Sequence, residues 1–460
     1  MHYDIAIIGG GPGGYVAAIY AGKKKAKVAL IEKGELGGTC LNRGCIPTKT
    51  LIHGANLLHA IKSAKDFGIT VNDINLDWDL LQKKTARVVK TLTKGVEGLL
   101  AANNVTVIKG AAKLTDKNTV AISGESGQST ITADNIILAT GSFPAVVPVP
   151  GRDLPNVITS DQALFLKQIP SSMLIIGGGV IGLEMGYIYN TFGTKVTIVE
   201  MLPNILPRQD KELSSELKKQ LEKQGIEIYT DSRVREIKEK EGILETIFET
   251  NEGTKTVASE KVLMATGRVP AIEAFKDFGI YIEKTGVVVD EYLRTNIDNI
   301  YAVGDLTGKT MLAHVASHQG ITAVKNILGE KHKINYRAIP SCIYTSPEVA
   351  SVGMTEEEAR MIFKDNIKIG RFPYSASGKA MTIGERQGFV KVIAESKYNE
   401  VVGVHIVGHN ATELIAEAVL AIGLECTAEE LANTIHAHPT LSETFMEAAF
   451  DLLGEPIHKL

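Results

Sequence analysis

Two cysteines five positions apart are the most chemically pointed residues of the chain, in Gly37-Gly38-Thr39-Cys40-Leu41-Asn42-Arg43-Gly44-Cys45-Ile46-Pro47-Thr48-Lys49. A pair at this spacing can form a redox-active disulfide, supply half of a zinc site, or remain two independent thiols. CxxxxC without a second ligand pair is poor zinc spacing. On one regular helix the two Cα atoms would be too far apart and too offset to bridge easily, because a disulfide needs them within about 7 Å. If they pair, Cys40 is expected in irregular backbone just before a helix, and Cys45 near that helix's first turn. There the helix dipole and Lys49 would favour a thiolate. A second cluster, His436-Ala437-His438-Pro439-Thr440-Leu441-Ser442-Glu443, precedes an apolar helical run. Thr440-x-x-Glu443 reads as a capping box, and the two histidines lack nearby ligands to complete a metal site.

The elements that must position these groups repeat. An apolar strand at residues 4–8 runs into Gly9-Gly10-Gly11-Pro12-Gly13-Gly14, a helical stretch, and Val28-Ala29-Leu30-Ile31-Glu32. A second copy has Leu174-Ile175-Ile176, Gly177-Gly178-Gly179-Val180-Ile181-Gly182, a helical stretch, and Val196-Thr197-Ile198-Val199-Glu200. The terminal glutamate stands at the same distance from the first glycine in both. One GxGxxG is a weak signal, but two in full strand–turn–helix–strand context are strong. The first glycine permits the tight turn, the second lets backbone approach a pyrophosphate, and the third packs helix on strand. The helix N-terminus offers free N–H groups to phosphate, and the glutamate can accept from ribose hydroxyls.

Each unit closes alike, Ala139-Thr140-Gly141-Ser142-Phe143-Pro144 and Ala265-Thr266-Gly267-Arg268-Val269-Pro270. Ile300-Tyr301-Ala302-Val303 leads into Gly304-Asp305, and residues 48–66 and 78–102 read as long inserted helices. After about residue 335 the pattern changes, with a strand over 401–407 and a helix over 413–422. The expected fold is α/β, two Rossmann-like dinucleotide-binding domains plus a C-terminal α+β domain.

A chain of 460 residues with a formal net charge of −4 gives no electrostatic reason to expect nucleic-acid or anionic-membrane binding. The Lys23-Lys24-Lys25 run reads as the solvated end of a helix. No stretch reaches the ~18 apolar residues of a membrane span. The chain enters an apolar strand almost at once, so no leader and a cytoplasmic location are expected. Four cysteines in such a length are no secreted framework; Cys342 and Cys426 are isolated and read as inert fillers.

Together, GGTCLNRGCIPTK, both fingerprints, both ATG-x-x-P segments, YAVGD, MLAH and HAHPTLSE resemble the flavoprotein disulfide reductases, that is, the class I pyridine nucleotide-disulfide oxidoreductases. Within them the resemblance is to the dihydrolipoamide dehydrogenases, over essentially the whole chain. Arg43 stands where most relatives carry an apolar residue and Thr48 where serine is common; neither touches the expected chemistry, though Arg43 could shift the disulfide's potential. The resemblance implies a Cys40–Cys45 redox disulfide and His438 as general base, with Glu443 fixing its tautomer and raising its basicity. It implies FAD held by Gly9, Gly11, Gly14, Glu32, Lys33, Gly38, Thr39, Lys49, Ala112, Thr140, Gly141 and Ser142. Asp305 would bond the ribityl chain, and Met311, Leu312, Ala313 and His314 would contact the flavin region.

It implies NAD held by Gly177, Gly179, Gly182, Glu184, Glu200, Val234 and Gly267. Glu184 aligns with Val16 in the repeat, inside a packed first turn where a carboxylate needs a partner; the family's answer is Lys49. Glu200 disfavours a 2′-phosphate, and Met201, Leu202 and Pro203 supply no arginine for one; Arg208 is expected to lie too far away. The implied layout is 1–145 FAD-binding, 146–268 NAD-binding, 269–335 a central domain completing the FAD site, and 336–460 a dimerisation domain. The implied activity is oxidation of protein-bound dihydrolipoamide with reduction of NAD⁺, by a homodimer whose His438 completes the partner's site. Expected partners are lipoyl domains and the acyltransferase core of a 2-oxo acid or acetoin dehydrogenase complex, or the glycine cleavage H protein. A glutathione reductase would favour an NADP pocket and a mercuric reductase a C-terminal cysteine pair; no cysteine follows Cys426.

Overall fold

Unbroken apolar runs such as Ile5-Ala6-Ile7-Ile8 suit strands covered on both faces, and these four residues are at most 4% exposed. The computed structural model describes residues 1–125 and 127–459. His2–Ile8 lies parallel to Val28–Glu32 on one side and to the C-terminal half of Gly127–Leu138 on the other. Thr106–Lys109 and Ile300–Ala302 extend the parallel part. The N-terminal half of Gly127–Leu138 instead pairs antiparallel with Thr119–Gly124, which pairs with Ala111–Asp116.

The second unit repeats the design with five parallel strands, ordered Glu227–Tyr229, Lys195–Val199, Ser172–Ile176, Lys261–Met264 and Val157–Thr159. An antiparallel sheet of Arg233–Lys240, Ile243–Thr250 and Gly253–Ser259 accompanies it. In both units the first strand turns through glycine into a helix, Pro12–Lys23 and Val180–Thr191. A β-carbon on Gly14 would fall 1.8 Å from the Gly9 carbonyl oxygen, and one on Gly182 2.0 Å from that of Gly177. The third glycine therefore packs helix on strand in both copies. The two units meet where their ATG-x-x-P segments pair, Ser142–Pro144 antiparallel to Arg268–Pro270.

The inserted helices run Cys45–Ser63, followed by a 3-10 turn Ala64–Phe67, and Trp78–Ala102. Asp77 caps the latter by accepting the Leu80 N–H at 2.8 Å. Residues 269–335, expected as a central domain, have no core of their own. Phe275, Ile280, Leu293 and Val324 join the cluster around Ile7 and Leu30, because Ile300–Ala302 is a strand of the first sheet.

The C-terminal part is α+β as expected. Ser341–Ile343, Glu348–Gly353, Val401–Gly408, Phe389–Glu395 and Ile367–Pro373 form an antiparallel sheet. Ala411–Gly423 and Glu443–Leu453 share its core. Residues 450–453 end that last helix, with Leu452 only 6% exposed in its own chain's core. A buried charge cluster pins this domain to the second unit. Lys391 Nζ lies 2.9 Å from Asp210 and 2.7 Å from Glu356, while Asp210 also accepts the Glu212 and Glu356 amides.

Candidate active site and nucleotide cleft

Cys40 lies on a short helix, Gly38–Arg43, and Cys45 opens the helix Cys45–Ser63. The irregular residue is Gly44 between them, at φ −148°, ψ −114°, rather than Cys40 as expected. This break lets residues five apart bring their sulfurs into hydrogen-bond contact, which one continuous helix would not. Both are present as free thiols. The Cys40 thiol donates to Cys45 and lowers the Cys45 pKa to about 7; burial opposes this, the Lys49 charge adds to it, and Glu184 opposes it. Cys40 is pushed well up, first by that hydrogen bond and then by burial. Cys45 is therefore the thiolate of the pair.

Lys49, one turn beyond Cys45, places Nζ 2.9 and 3.0 Å from the two Glu184 oxygens. Glu184, a buried carboxylate from the second unit, also accepts the Tyr344 N–H at 3.1 Å. The Lys49 ammonium stands over the Tyr344 ring, 4.4 Å from its centroid. Arg43 pairs with Glu35 at 2.5 Å.

One continuous cleft of about 2490 Å³ joins the thiols to both fingerprints. Single-ligand pockets measure roughly 300–1,000 Å³, so it has room for more than one dinucleotide. Among the residues expected at the first site, Gly9, Gly11, Glu32, Lys33, Gly38, Thr39, Lys49, Ala112, Thr140, Gly141, Ser142, Asp305, Met311, Leu312, Ala313 and His314 line it. At the second, Gly177, Gly179, Glu184, Glu200, Val234 and Gly267 do. Gly14 and Gly182 do not, being spent on packing. Arg208, set aside on sequence distance, does line the cleft, as do Arg233 and Arg235. The two glutamates behave alike: Glu32 accepts the Gly10 and Gly34 amides, each at 2.6 Å. Glu200 accepts those of Gly178 at 2.6 Å and Leu202 at 2.8 Å.

His438 and Glu443 stand apart from this cleft. His438 Nδ1 is 2.9 Å from Glu443 Oε1, and its side chain is 78% exposed. Glu443 Oε2 accepts the Thr440 N–H at 2.8 Å, but the expected capping box does not form: the helix opens at Glu443 behind Ser442 with no side-chain cap, and the Thr440 hydroxyl donates to the Ala437 carbonyl at 2.7 Å. Burial notwithstanding, that amide and His438 hold Glu443 below the usual carboxylate range. Among the described residues no group of three His, Cys, Asp or Glu side chains is arranged to hold a metal ion.

Residues 3–320 match the pyridine nucleotide-disulphide oxidoreductase family, and residues 339–449 match its dimerisation domain. The chain belongs to the pyridine nucleotide-disulphide oxidoreductases. It is 40% identical over 458 residues to a dihydrolipoyl dehydrogenase of Bacillus subtilis (strain 168), covering 99% of each chain. It is 42% identical over 460 residues to that of Geobacillus stearothermophilus, covering 99% of this chain and 97% of the relative. Among solved structures it is similar to the copper(II) complex of the HOCl-induced flavoprotein disulfide reductase RclA from Escherichia coli. That match has a TM-score of 0.88 and 29% identity, over 98% of this chain and 99% of that one.

As a member of this oxidoreductase family the chain uses FAD and NAD(H), and its own geometry suits two dinucleotides. Both fingerprint helices begin at a glycine with no side-chain cap, Gly11 and Gly179, leaving their first N–H groups for phosphate oxygens. A β-carbon at Gly141, Gly179 or Gly267 would meet nothing within 4 Å, so backbone there lies open to a ligand. The dimerisation domain makes the chain a dimer-forming member of the family, and among the described residues no helix is long and apolar enough to cross a membrane. Two residues of this site escaped sequence reasoning. Tyr344, from the C-terminal domain, had no motif to mark it. Arg268 sits in a segment noted only for its repetition, yet its Nε donates to Ser142 at 2.6 Å.

Proposed function

We propose that the chain is an NAD-dependent dihydrolipoyl dehydrogenase, oxidising protein-bound dihydrolipoamide to lipoamide as NAD⁺ becomes NADH. The observation that carries this reading is the placement of Cys40 and Cys45 on either side of the Gly44 break, in one cleft with both fingerprints. Gly9, Gly11, Glu32, Lys33, Thr39, Gly141, Ser142, Asp305 and the 311–314 segment would hold FAD. Gly177, Gly179, Glu184, Glu200, Val234 and Gly267 would hold NAD. FAD, when bound, supplies the two-electron carrier between the cysteine pair and NAD⁺.

The residues divide the thiol chemistry as follows. With Nδ1 donating to Glu443, His438 keeps its lone pair on Nε2, the atom that takes the proton from a substrate thiol. The resulting thiolate attacks Cys40 Sγ of the oxidised pair, and the S–S bond breaks toward Cys45. Exchange prefers the leaving sulfur of lower pKa, which is Cys45. The second substrate thiol then attacks the substrate sulfur of the mixed disulfide, releasing cyclic lipoamide and leaving Cys40 protonated. Lys49, held by Glu184 and Tyr344, keeps a positive charge beside the Cys45 thiolate.

The exposure of His438 and its absence from its own chain's cleft favour a site shared across a homodimer, each chain lending its base to the other. The domain limits 1–145, 146–268, 269–335 and 336–460 belong to this reading, with the third segment sharing the first one's core. So do a cytoplasmic location and a place beside lipoyl domains and an acyltransferase core of a 2-oxo acid or acetoin dehydrogenase complex, or the glycine cleavage H protein. Glu200, fixed by two backbone amides, disfavours a 2′-phosphate. The test compares NAD⁺ reduction by dihydrolipoamide with NADPH oxidation by glutathione disulfide. The first should dominate, and dominance of the second would overturn the reading.

A further inference from the structure

Arg268 follows Gly267 of the second site and reaches across the paired ATG-x-x-P segments into the first. Its Nε donates to Ser142 Oγ at 2.6 Å, and its Nη2 to the Ser142 carbonyl at 2.8 Å and the Thr39 hydroxyl at 3.5 Å. Nε is also 3.7 Å from Asp305 Oδ2, and the Arg268 side chain is only 14% exposed. A guanidinium donates and never accepts. Ser142 Oγ must therefore accept from Arg268 and point its single proton elsewhere, and it donates to Asp305 Oδ2 at 2.5 Å. With Oδ2 engaged by the serine and facing the guanidinium, Oδ1 is the oxygen Asp305 can offer to a hydroxyl in the cleft. Thr39, Ser142 and Asp305 are three of the residues read above as FAD contacts, and all three touch or approach this one side chain from the other unit. An ordinary interdomain ion pair would need only the Asp305 contact, not the hydroxyl orientation as well.

We propose that Arg268 is a positioning residue that links the occupancy of the two nucleotide sites. A ligand settling against Gly177 and Gly267 fixes the backbone from which Arg268 springs, and so fixes the hold of its guanidinium on Ser142 and Asp305. The second site's ligand thereby tightens retention of FAD in the first. By linkage FAD tightens the second ligand equally. This rests on the assignment of FAD to the first site and NAD to the second.

The test follows release of FAD from the holoprotein after dilution, read as recovery of free-flavin fluorescence, with and without ADP-ribose. This fragment carries the dinucleotide's phosphates but no nicotinamide, so it fills the second site without redox chemistry. In the wild type, saturating ADP-ribose should slow release about fivefold or more, the lower range of usual couplings. Arg268→Met should release FAD roughly tenfold faster or more, as loss of charged donors implies, and should lose the ADP-ribose effect. Arg268→Lys, which keeps the charge without the fork, should retain part of both. If Arg268→Met is recovered without flavin, the comparison rests on Arg268→Lys and Ser142→Ala, each of which should show a reduced ADP-ribose effect. An undiminished effect in these variants, or none in the wild type, overturns the linkage. A wild-type protein that holds no FAD overturns the underlying site assignment as well, which separates the two failures.

Discussion

Replacing Lys49 by methionine should raise the Cys45 titration midpoint from about 7 to about 8, the shift following from charge alone. One helical turn puts the two side chains about 6 Å apart at Cβ. At an effective dielectric near 20, a unit charge at that distance is worth about 3 kcal/mol. Lys49 is about one-third exposed, and solvent screening reduces this to about half, near the 1.4 kcal/mol that moves a pKa by one. At pH 7 the thiolate fraction of Cys45 should fall from roughly half to roughly one-tenth, and alkylation by iodoacetamide should slow about fivefold. The measurement is the alkylation rate of the reduced protein against pH, with Cys45 modification followed by mass spectrometry. Two further variants fix the signs. Glu184→Gln removes a charge that opposes the Cys45 thiolate, so its midpoint should fall below that of the wild type. Cys40→Ala removes the largest cause of the lowered value and should raise the midpoint further than Lys49→Met does. A midpoint that stays put or falls in Lys49→Met would refute this account of the thiolate.

Glu32→Ala should weaken FAD retention, whereas Glu200→Ala should leave the flavin bound and raise the KM for NAD⁺; the opposite pattern would mean the two sites are exchanged. Heterodimers of Cys45→Ser and His438→Gln chains, each inactive alone, should recover activity from one complete site in two. Activity that stays at the parental background after verified subunit exchange would instead give each chain its own base. Lys391→Met should destabilise the fold by about 3–5 kcal/mol, since it strips the cation from buried Asp210. A thermal midpoint within about 1 °C of the wild type would show that the cluster holds little.

Two sequence expectations about the site changed in three dimensions, both for local reasons. The disulfide geometry argument located a break near the cysteines but assigned it to Cys40; Gly44 takes it, which leaves Cys40 on a helix of its own. Thr440-x-x-Glu443, read as a capping box, does not close its helix, which begins at Glu443 behind Ser442 while the Thr440 hydroxyl donates to Ala437.

The nucleotide turns, the thiol pair and the helix that carries Lys49 could all be read from the chain. Each depends on groups within a few residues, where spacing and backbone geometry leave few alternatives. The contacts of Arg268 with Ser142 and Thr39, of Tyr344 with Lys49, and of Lys391 with Asp210 could not. They join residues more than a hundred positions apart, and no periodicity records which side chains meet when separate units pack. The pairing of Lys49 with Glu184 lies between these cases. The repeat showed that Glu184 needed a partner, and only the packing of the second unit on the Cys45–Ser63 helix brought Lys49 within 2.9 Å of it.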